Sequence, residues 1–327
     1  MRPIRHILVA VKDPKAKSLP AVAKAAQLAR AFGASVELFH AHGDALYFDP
    51  MDTSGPLAEV EETIRTATLE QLERVAARIR RHGLAVSVAA EWDFPAYEAI
   101  VRRCQKTRAD LIVSERHAGH HLFPALLKLA DWELLRWSPV PVLLVQGTRL
   151  YRRPVILAAV DPEHLFAKPA RLDTRILEAA DLFASALHGA LHAVHAYAAV
   201  TPASMSRGFS GERALRAELR HTRHAARDSL AGAVRDMRIP PSRQHVVARH
   251  PTDAIQGTAR RTHSSIVVMG AVSRSGLKRF LIGNTAESLL DQLTCDVLIV
   301  KPERFATRVP RRARGANIVP SAALAGW

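Results

Sequence analysis

The sequence predicts an α/β protein built from two tandem Rossmann-like domains, each with a doubly wound parallel sheet. Three observations lead to this fold class. Short apolar runs alternate with segments whose apolar residues recur at helical spacing. The runs lack the alternation of a half-exposed strand, which is typical of strands buried on both faces of a parallel sheet. The order of elements also occurs twice in the 327 residues, and right-handed crossovers should connect the strands.

The repeat is visible when the chain is shifted by 155 residues against itself. Residues 111–113 then fall on 266–268, and residues 142–145 fall on 297–300. One register holds without a gap through a strand, a loop, a helix and a further strand. Generic α/β periodicity does not explain such agreement, so the chain is predicted to contain two copies of one unit.

These copies are expected to form one domain over residues 1–148 and a second over residues 152–303. The segment between them contains no flexible Gly/Ser tract, so the domains should pack against each other rather than move independently. Beyond them, residues 304–327 are basic and lack apolar periodicity. This tail is therefore expected to be disordered.

Each domain is predicted to run strand, helix, strand, long helix, strand, helix, strand, helix, strand. Gly33 ends the first helix, and Gly83 ends the long helix, whose apolar residues keep helical spacing. The second domain repeats this order from residue 155 to residue 300, with its long helix at roughly 211–237. In the first domain the elements are predicted at residues 7–11, 21–32, 36–40, 57–80, 86–90, 95–106, 111–114, 132–137 and 142–145.

The composition is that of a soluble globular protein, with 48% apolar and 24% charged residues. No apolar run approaches the roughly 20 residues of a membrane span, and no signal-peptide core follows the N-terminus. The 2 cysteines, Cys104 and Cys295, provide no disulfide framework. A cytoplasmic protein without a membrane partner is therefore expected.

The net charge of +15 raises the question of nucleic-acid binding. Most arginines outside the tail recur at helical spacing among alanines, as on a solvated helix face. Nucleic acid is therefore not expected as the main partner, although the charge favours anionic ligands in general. Five of the positive charges lie in the tail, at Arg304, Arg308, Arg311, Arg312 and Arg314.

One stretch of the second domain combines the features of an anion-binding loop. Residues 266–269 form an apolar run that ends at Gly270, and a loop extends from there to Gly283. Asn284 followed by Glu287 is a capping-box pattern that opens a helix. Unpaired N–H groups and the helix dipole favour an anion at such a place. The candidates for the phosphate side are Gly270, Ser273, Gly276, Gly283, Asn284 and Thr285.

This stretch resembles the signature of the universal stress proteins, whose nucleotide-binding members carry G-x2-G-x9-G-[ST] here. Gly270 and Gly283 match the first and third glycines, whereas Ser273 replaces the second. Asn284 stands where the family has Ser or Thr, and Thr285 offers a hydroxyl one place later. The chain is most similar to the tandem, E-type subgroup. The resemblance implies an adenine nucleotide alpha hydrolase-like fold, with the two domains packed as an internal pseudo-dimer.

The same resemblance implies a nucleoside site at the end of the strand over residues 156–160. The main chain of Val160 would contact adenine, and Asp161 would lie close to the adenosine of ATP or a related nucleotide. Asp161 also has a structural interpretation, as a turn or helix-capping residue beside Pro162. Asp13 is its counterpart in the first domain. It comes one place later after the strand, because Lys12 directly follows residue 11.

The first domain lacks the phosphate loop. Glu115 falls on Gly270, and Leu129 falls on Asn284. An acidic residue at that place repels a phosphate, so this copy should not bind a nucleotide. Its role is expected to be a partner surface or a site for another ligand.

Three histidines follow Glu115 in the first domain, and imidazole with carboxylate suits zinc. Their spacing is not that of a closed Cys/His framework, so a solvated polar loop is favoured and no metal is predicted. His40 and His195 occupy equivalent strand ends, which indicates a shared packing role. The three histidines are His117, His120 and His121.

No G-x4-GK[ST] loop, H-E-x-x-H helix or G-x-S-x-G elbow is present, so a rapid enzyme is not supported. The sequence favours a stress-responsive binding module that senses an adenine nucleotide in the second domain. The alternative is an interaction or structural protein whose altered pockets bind no nucleotide, and a slow ATPase is a third. Partners would be the protein's own second copy, further copies of the chain or other proteins.

Overall fold

The structure is a computed structural model. It describes residues 3–43, 45–48, 57–116, 124–163, 171–197, 212–271, 289–290, 292–303 and 305–320. The chain divides into two compact units. The first unit comprises Arg2–Leu150 together with Ala306–Trp327, and the second comprises Tyr151–Phe305.

The first unit is built on a parallel sheet of the order β4-β2-β1-β5-β6. The residues of β1, β5 and β6 are almost all buried, as their apolar runs predicted, whereas most residues of β4 at the edge of the sheet are only partly buried. The elements are β1 (His6–Ala10), α1 (Pro20–Phe32), β2 (Ser35–His42), β3 (Ala45–Phe48), α2 (Leu57–Arg80), β4 (Val86–Trp92), α3 (Ala96–Thr107), β5 (Leu111–Glu115), α4 (Pro124–Trp137), β6 (Val142–Val145) and, from the tail, β12 (Asn317–Pro320).

The second unit repeats this arrangement with the strand order β11-β10-β7-β8-β9. Each strand therefore has a counterpart at the same place in the first unit, and the tandem doubly wound α/β fold is confirmed. The elements are β7 (Val155–Val160), α5 (Leu172–Ala186), β8 (Ala190–Ala196), α6 (Glu212–Ala233), β9 (Gln244–Val247), α7 (Pro251–Arg261), β10 (Ile266–Gly270) and β11 (Asp296–Val300).

The ends of α1 show how the local sequence sets the helix limits. Pro20 stands in its first turn, where a missing N–H costs no hydrogen bond. Gly33 follows the last residue with φ of 66°, and its N–H donates to the carbonyl of Ala29. The predicted end at Gly33 is confirmed.

Within the described residues, no helix is both long enough and apolar enough to cross a membrane.

Part of the basic tail has a defined place in the first unit, which differs from the expectation of disorder. Strand β12 pairs in parallel with β3. The Arg314 side chain donates to the Glu98 carboxylate at 2.9 and 3.1 Å, and its backbone N–H donates to Asp93 at 2.9 Å. Both acids are buried, and Arg102 also donates to each of them. Buried carboxylates need cationic partners, and the tail supplies one that periodicity does not reveal.

Candidate functional site

The candidate site lies where three neighbouring strands of the second unit end. Strand β7 pairs with β10 on one side and with β8 on the other. Val160, the last residue of β7, is paired with His195 of β8, and Gly270 ends β10. The carboxyl ends of parallel strands are where open α/β sheets place ligands. Three residues far apart in sequence therefore meet at one edge.

Asp161 directly follows β7 and is 5% exposed. Its backbone N–H donates to the carboxylate of Asp173 at 3.1 Å, and Asp173 lies in the first turn of α5. Its counterpart Asp13 is exposed and accepts the N–H of Lys15 at 2.8 Å, as in an ordinary turn. The two aspartates thus differ in burial. The turn interpretation describes Asp13, and Asp161 places a carboxylate inside the protein.

His195 is the residue that sequence reasoning missed, because its equivalence to His40 indicated only packing. Its side chain is fully buried, and neither ring nitrogen has a hydrogen-bond partner among the described residues. The Nε2 atom lies 3.6 Å from the carboxylate of Glu163. In His40, by contrast, Nδ1 lies 2.7 Å from the carbonyl oxygen of Val11 and donates to it. The signal for this pair in the sequence was Glu163, two residues after Asp161.

Gly270 has a packing reason to be glycine. A Cβ atom there would lie 2.6 Å from Cδ2 of Leu172 and 3.2 Å from Cδ1 of Ile176. Both residues belong to α5, and both are buried. The first turns of α5 therefore lie directly against the end of β10, and a side chain at Gly270 would require Leu172 to shift.

The other phosphate-side candidates lie outside the described residues. These are Ser273, Gly276, Gly283, Asn284 and Thr285. The three histidines of the alternative metal interpretation also lie outside them. Among the residues that the structure describes, no group of three or more His, Cys, Asp or Glu side chains could hold a metal ion.

At the equivalent edge of the first unit, the protein's own charges occupy the strand ends. The carboxylate of Glu115, at the end of β5, accepts the N–H of Ala21 in the first turn of α1 at 3.1 Å. Lys12, after β1, contacts Asp131 of α4 at 2.5 Å. Burial raises the pKa of Glu115, although the Ala21 N–H opposes the shift. Burial also lowers the pKa of Lys12, and the Asp131 carboxylate opposes it.

The two edges are related by a compensating exchange of side-chain size. At the 155-residue offset, Ala21 of α1 corresponds to Ile176 of α5, and Glu115 corresponds to Gly270. The first unit combines a small helix residue with a long acidic strand residue. The second unit combines a large helix residue with a glycine. Each combination fills the space between helix and strand end, and only the first adds a charge.

Comparison with known proteins gives a consistent picture over both units. The sequence model of the Universal stress protein family matches residues 3–146 and again residues 155–301. Universal stress protein E of Escherichia coli K12 is 26% identical over 320 residues, which cover 92% of this chain and 96% of that protein.

Solved structures extend the comparison. A functionally unknown protein from Pseudomonas aeruginosa PAO1 has a TM-score of 0.68 and 25% identity, covering 92% of this chain and 93% of its own. A universal stress protein from Archaeoglobus fulgidus DSM 4304 has a TM-score of 0.56 and 17% identity, covering 90% and 96%. This second likeness concerns the fold alone.

Proposed function

The chain belongs to the universal stress protein family, with one family domain in each unit, and we propose that its second unit senses an adenine nucleotide. The observation that carries the proposal is the pair of buried polar side chains at adjacent strand ends, Asp161 and His195. A buried carboxylate accepts hydrogen bonds from hydroxyl groups such as those of ribose, and imidazole can donate or accept. The first unit offers neither arrangement, because Asp13 is exposed and His40 donates to the main chain.

In this proposal the nucleoside lies at the end of β7, where the Val160 main chain and the Asp161 carboxylate would face it. The phosphates would extend toward the segment after Gly270, with Ser273, Gly276, Gly283, Asn284 and Thr285 as the sequence-based candidates. The first unit is proposed to be blind to the nucleotide. Glu115 places a carboxylate at the N-terminus of α1, where a phosphate would otherwise find the N–H of Ala21.

Asp161→Asn tests the nucleoside side of the site. Calorimetric titration of the full chain with ATP and with adenosine should show about tenfold or greater weakening, since a hydrogen bond to a charged group contributes roughly 1.5–3 kcal/mol. Asp13→Asn is the matched control in the first unit and should leave the affinity unchanged. Equal affinities for wild type and Asp161→Asn would contradict the proposed site.

Native mass spectrometry of the purified chain should also detect a bound adenine nucleotide.

A second candidate function is an interaction module that binds no nucleotide. The packing of Gly270 against Leu172 and Ile176 favours it, because this packing explains the glycine without a ligand. The prediction of this alternative is the absence of any co-purified nucleotide, together with no thermal shift at millimolar ATP.

We also propose that the two units pack as an internal pseudo-dimer. The support is one family match in each unit and a linking segment, residues 147–154, without a Gly/Ser tract. Limited proteolysis should leave this link intact for longer than other exposed segments. Early cleavage there, with release of two separate stable units, would contradict the pseudo-dimer.

A further inference from the structure

A basic cavity lies beside the edge strand β9 of the second unit. We call it the arginine pocket; its volume is about 190 Å³. Three arginines line it: Arg223 and Arg227 from α6 and Arg261 from α7. The remaining lining residues are Gln244, His245, Val246 and Val247, so no carboxylate is among the described residues that line it. Three arginines lining one cavity, with no lining carboxylate among the described residues, create a positive potential there.

The histidines at this edge add donors without adding charge at neutral pH. His245 Nε2 lies 3.0 Å from His192 Nδ1 of β8, and the two rings stack. Burial, with His192 and Arg261 nearby, lowers the pKa of His245 to about 4. Burial and Arg243 also lower the pKa of His192. Both imidazoles therefore stay neutral near pH 7, and the arginines carry the positive charge of the pocket.

The equivalent edge of the first unit is charge-balanced. Arg103 of α3 donates to Glu37 of β2 at 2.5 Å and to Glu91 of β4 at 2.9 Å. At the 155-residue offset, Glu37 corresponds to His192. Glu91 is paired with Ala41 in the first sheet, just as Val247 is paired with Ala196 in the second. The second unit has thus replaced both carboxylates of this edge by uncharged side chains while presenting three arginines.

We propose that the arginine pocket binds a tetrahedral oxyanion of the phosphate type, free or carried as a phosphate ester. Guanidinium groups form paired hydrogen bonds with such oxyanions, and the ligand supplies the negative charge that the replaced carboxylates supply in the first unit. None of the strand-end residues Val160, Asp161, His195 and Gly270 lines the pocket. The inference is therefore independent of the nucleotide proposal.

The first test is a titration of the full chain with inorganic phosphate and with ribose 5-phosphate at low salt. The double variant Arg223→Gln/Arg227→Gln should bind at least about tenfold more weakly, because it loses two charge-assisted contacts. The control Arg235→Gln/Arg238→Gln removes the same charge at exposed residues that do not line the pocket, and it should keep wild-type affinity. Circular dichroism of each variant checks that the fold is retained.

Each outcome decides something. Tight binding of free phosphate identifies the inorganic ion as sufficient, whereas preference for ribose 5-phosphate identifies an ester. No binding by the wild type, equal binding by the pocket variant, or equal losses in both double variants would overturn the proposal. The last result would mean that net charge alone attracts the anion.

The second test uses the histidines as reporters, with sulfate as the probe because its charge is constant over the range. An anion in the pocket stabilises the protonated imidazole, so nuclear magnetic resonance should show the pKa of His245 rising when sulfate is added. The groups facing this ring are His192 of β8, Arg261 of α7, and Arg223 and Arg227 of α6 across the cavity. An unchanged His245 titration at saturating sulfate would place the anion elsewhere and refute the inference.

Discussion

The two units differ most at the carboxyl ends of their strands. In the first unit, Glu115 accepts the N–H of the first turn of α1, and Lys12 contacts Asp131. In the second unit, the equivalent edge has a glycine under α5 and two buried polar side chains. The comparison shows that the two copies pack this edge in different ways. The first unit places a carboxylate at the helix terminus beside a small helix residue, whereas the second combines a glycine with large helix residues.

The outer edges of the sheets differ in the opposite sense. The first unit surrounds its arginines with acids: Arg103 contacts Glu37 and Glu91, while Arg102 contacts Asp93 and Glu98. The arginines of the second unit line a cavity without lining carboxylates in the described residues. The first unit pairs these arginines with its own carboxylates, and the arginines of the second unit are those that we propose to bind an oxyanion. Variants at equivalent positions can test each part of this comparison.

The largest loss of stability is expected at the acidic cluster, the two buried acids Asp93 and Glu98 that contact Arg314 of the tail. Glu98→Ala should destabilise the first unit by about 3 kcal/mol or more, because it leaves Arg102 buried with fewer partners. Burial alone would raise the pKa of Glu98, but hydrogen bonds from Arg314 and Arg102 outweigh it and the net shift is downward. The carboxylate is therefore ionised and stabilising at neutral pH. Chemical denaturation measures the loss.

The counterpart of Glu98 at the 155-residue offset is Asp253, exposed in the first turn of α7. Asp253→Ala should cost only about 0.5 kcal/mol, the contribution of an acid at a helix N-terminus. Glu98→Ala should also accelerate proteolysis within the tail, since the Arg314 contact is lost. Similar losses in the two variants would show that the acidic cluster of the first unit has no special role.

The fold was predictable from the sequence because parallel strands that are buried on both faces consist of unbroken apolar runs. The repeat also shows which run of the first domain corresponds to which run of the second. The positions of Val160, Asp161 and Gly270 at strand ends follow from the same reasoning, since parallel strands end at one edge. The glycine stop signal also located the end of α1 at Gly33.

Contacts between distant segments could not be predicted in this way. From the sequence alone, Gly270 is interpreted as a ligand-binding glycine. In the structure, a Cβ atom at this position would lie 2.6 Å from Cδ2 of Leu172, which is 98 residues earlier in the chain. Arg314 belongs to a stretch of basic composition typical of disorder, and its partners Asp93 and Glu98 lie more than 200 residues away. The burial of His195 likewise depends on the tertiary fold. Local patterns carry no information on such pairings.

The second effect in size concerns Gly270. Gly270→Ala should cost about 1–3 kcal/mol of unfolding free energy, because the new methyl group overlaps Leu172 and the first turn of α5 must shift. In a Leu172→Ala background the same change should cost less than half as much, since the obstructing side chain is gone. Denaturant titration of the four proteins gives the coupling free energy. Equal costs in both backgrounds would mean that α5 is not the reason for the glycine.

The smallest effect is a pH dependence at Glu115. Its pKa is raised by burial from the ordinary 4.5, so the protonated form is favoured in the folded state. The corresponding stability is fully present below about pH 4.5 and is lost as the pH rises through the folded pKa. Glu115→Gln keeps an acceptor for the Ala21 N–H and never ionises. Relative to the wild type, this variant should therefore gain stability between pH 4 and pH 7.

Glu37→Gln provides a control of opposite sign in the same unit. Burial would raise the pKa of Glu37, but His6 and Arg103 outweigh it and lower the pKa below 4.5. Its stabilisation is present at neutral pH and is lost as the pH falls through that lowered pKa, so Glu37→Gln should lose stability relative to the wild type as the pH rises. Denaturation curves at several pH values compare the two slopes. If both variants change in the same direction, Glu115 is stabilised as an anion by Lys12 and the helix N-terminus. The N-terminus of α1 would then stabilise an anion, and that anion would be the carboxylate of Glu115 itself. The two units would differ in whether this place holds a carboxylate of the protein or is left for a ligand.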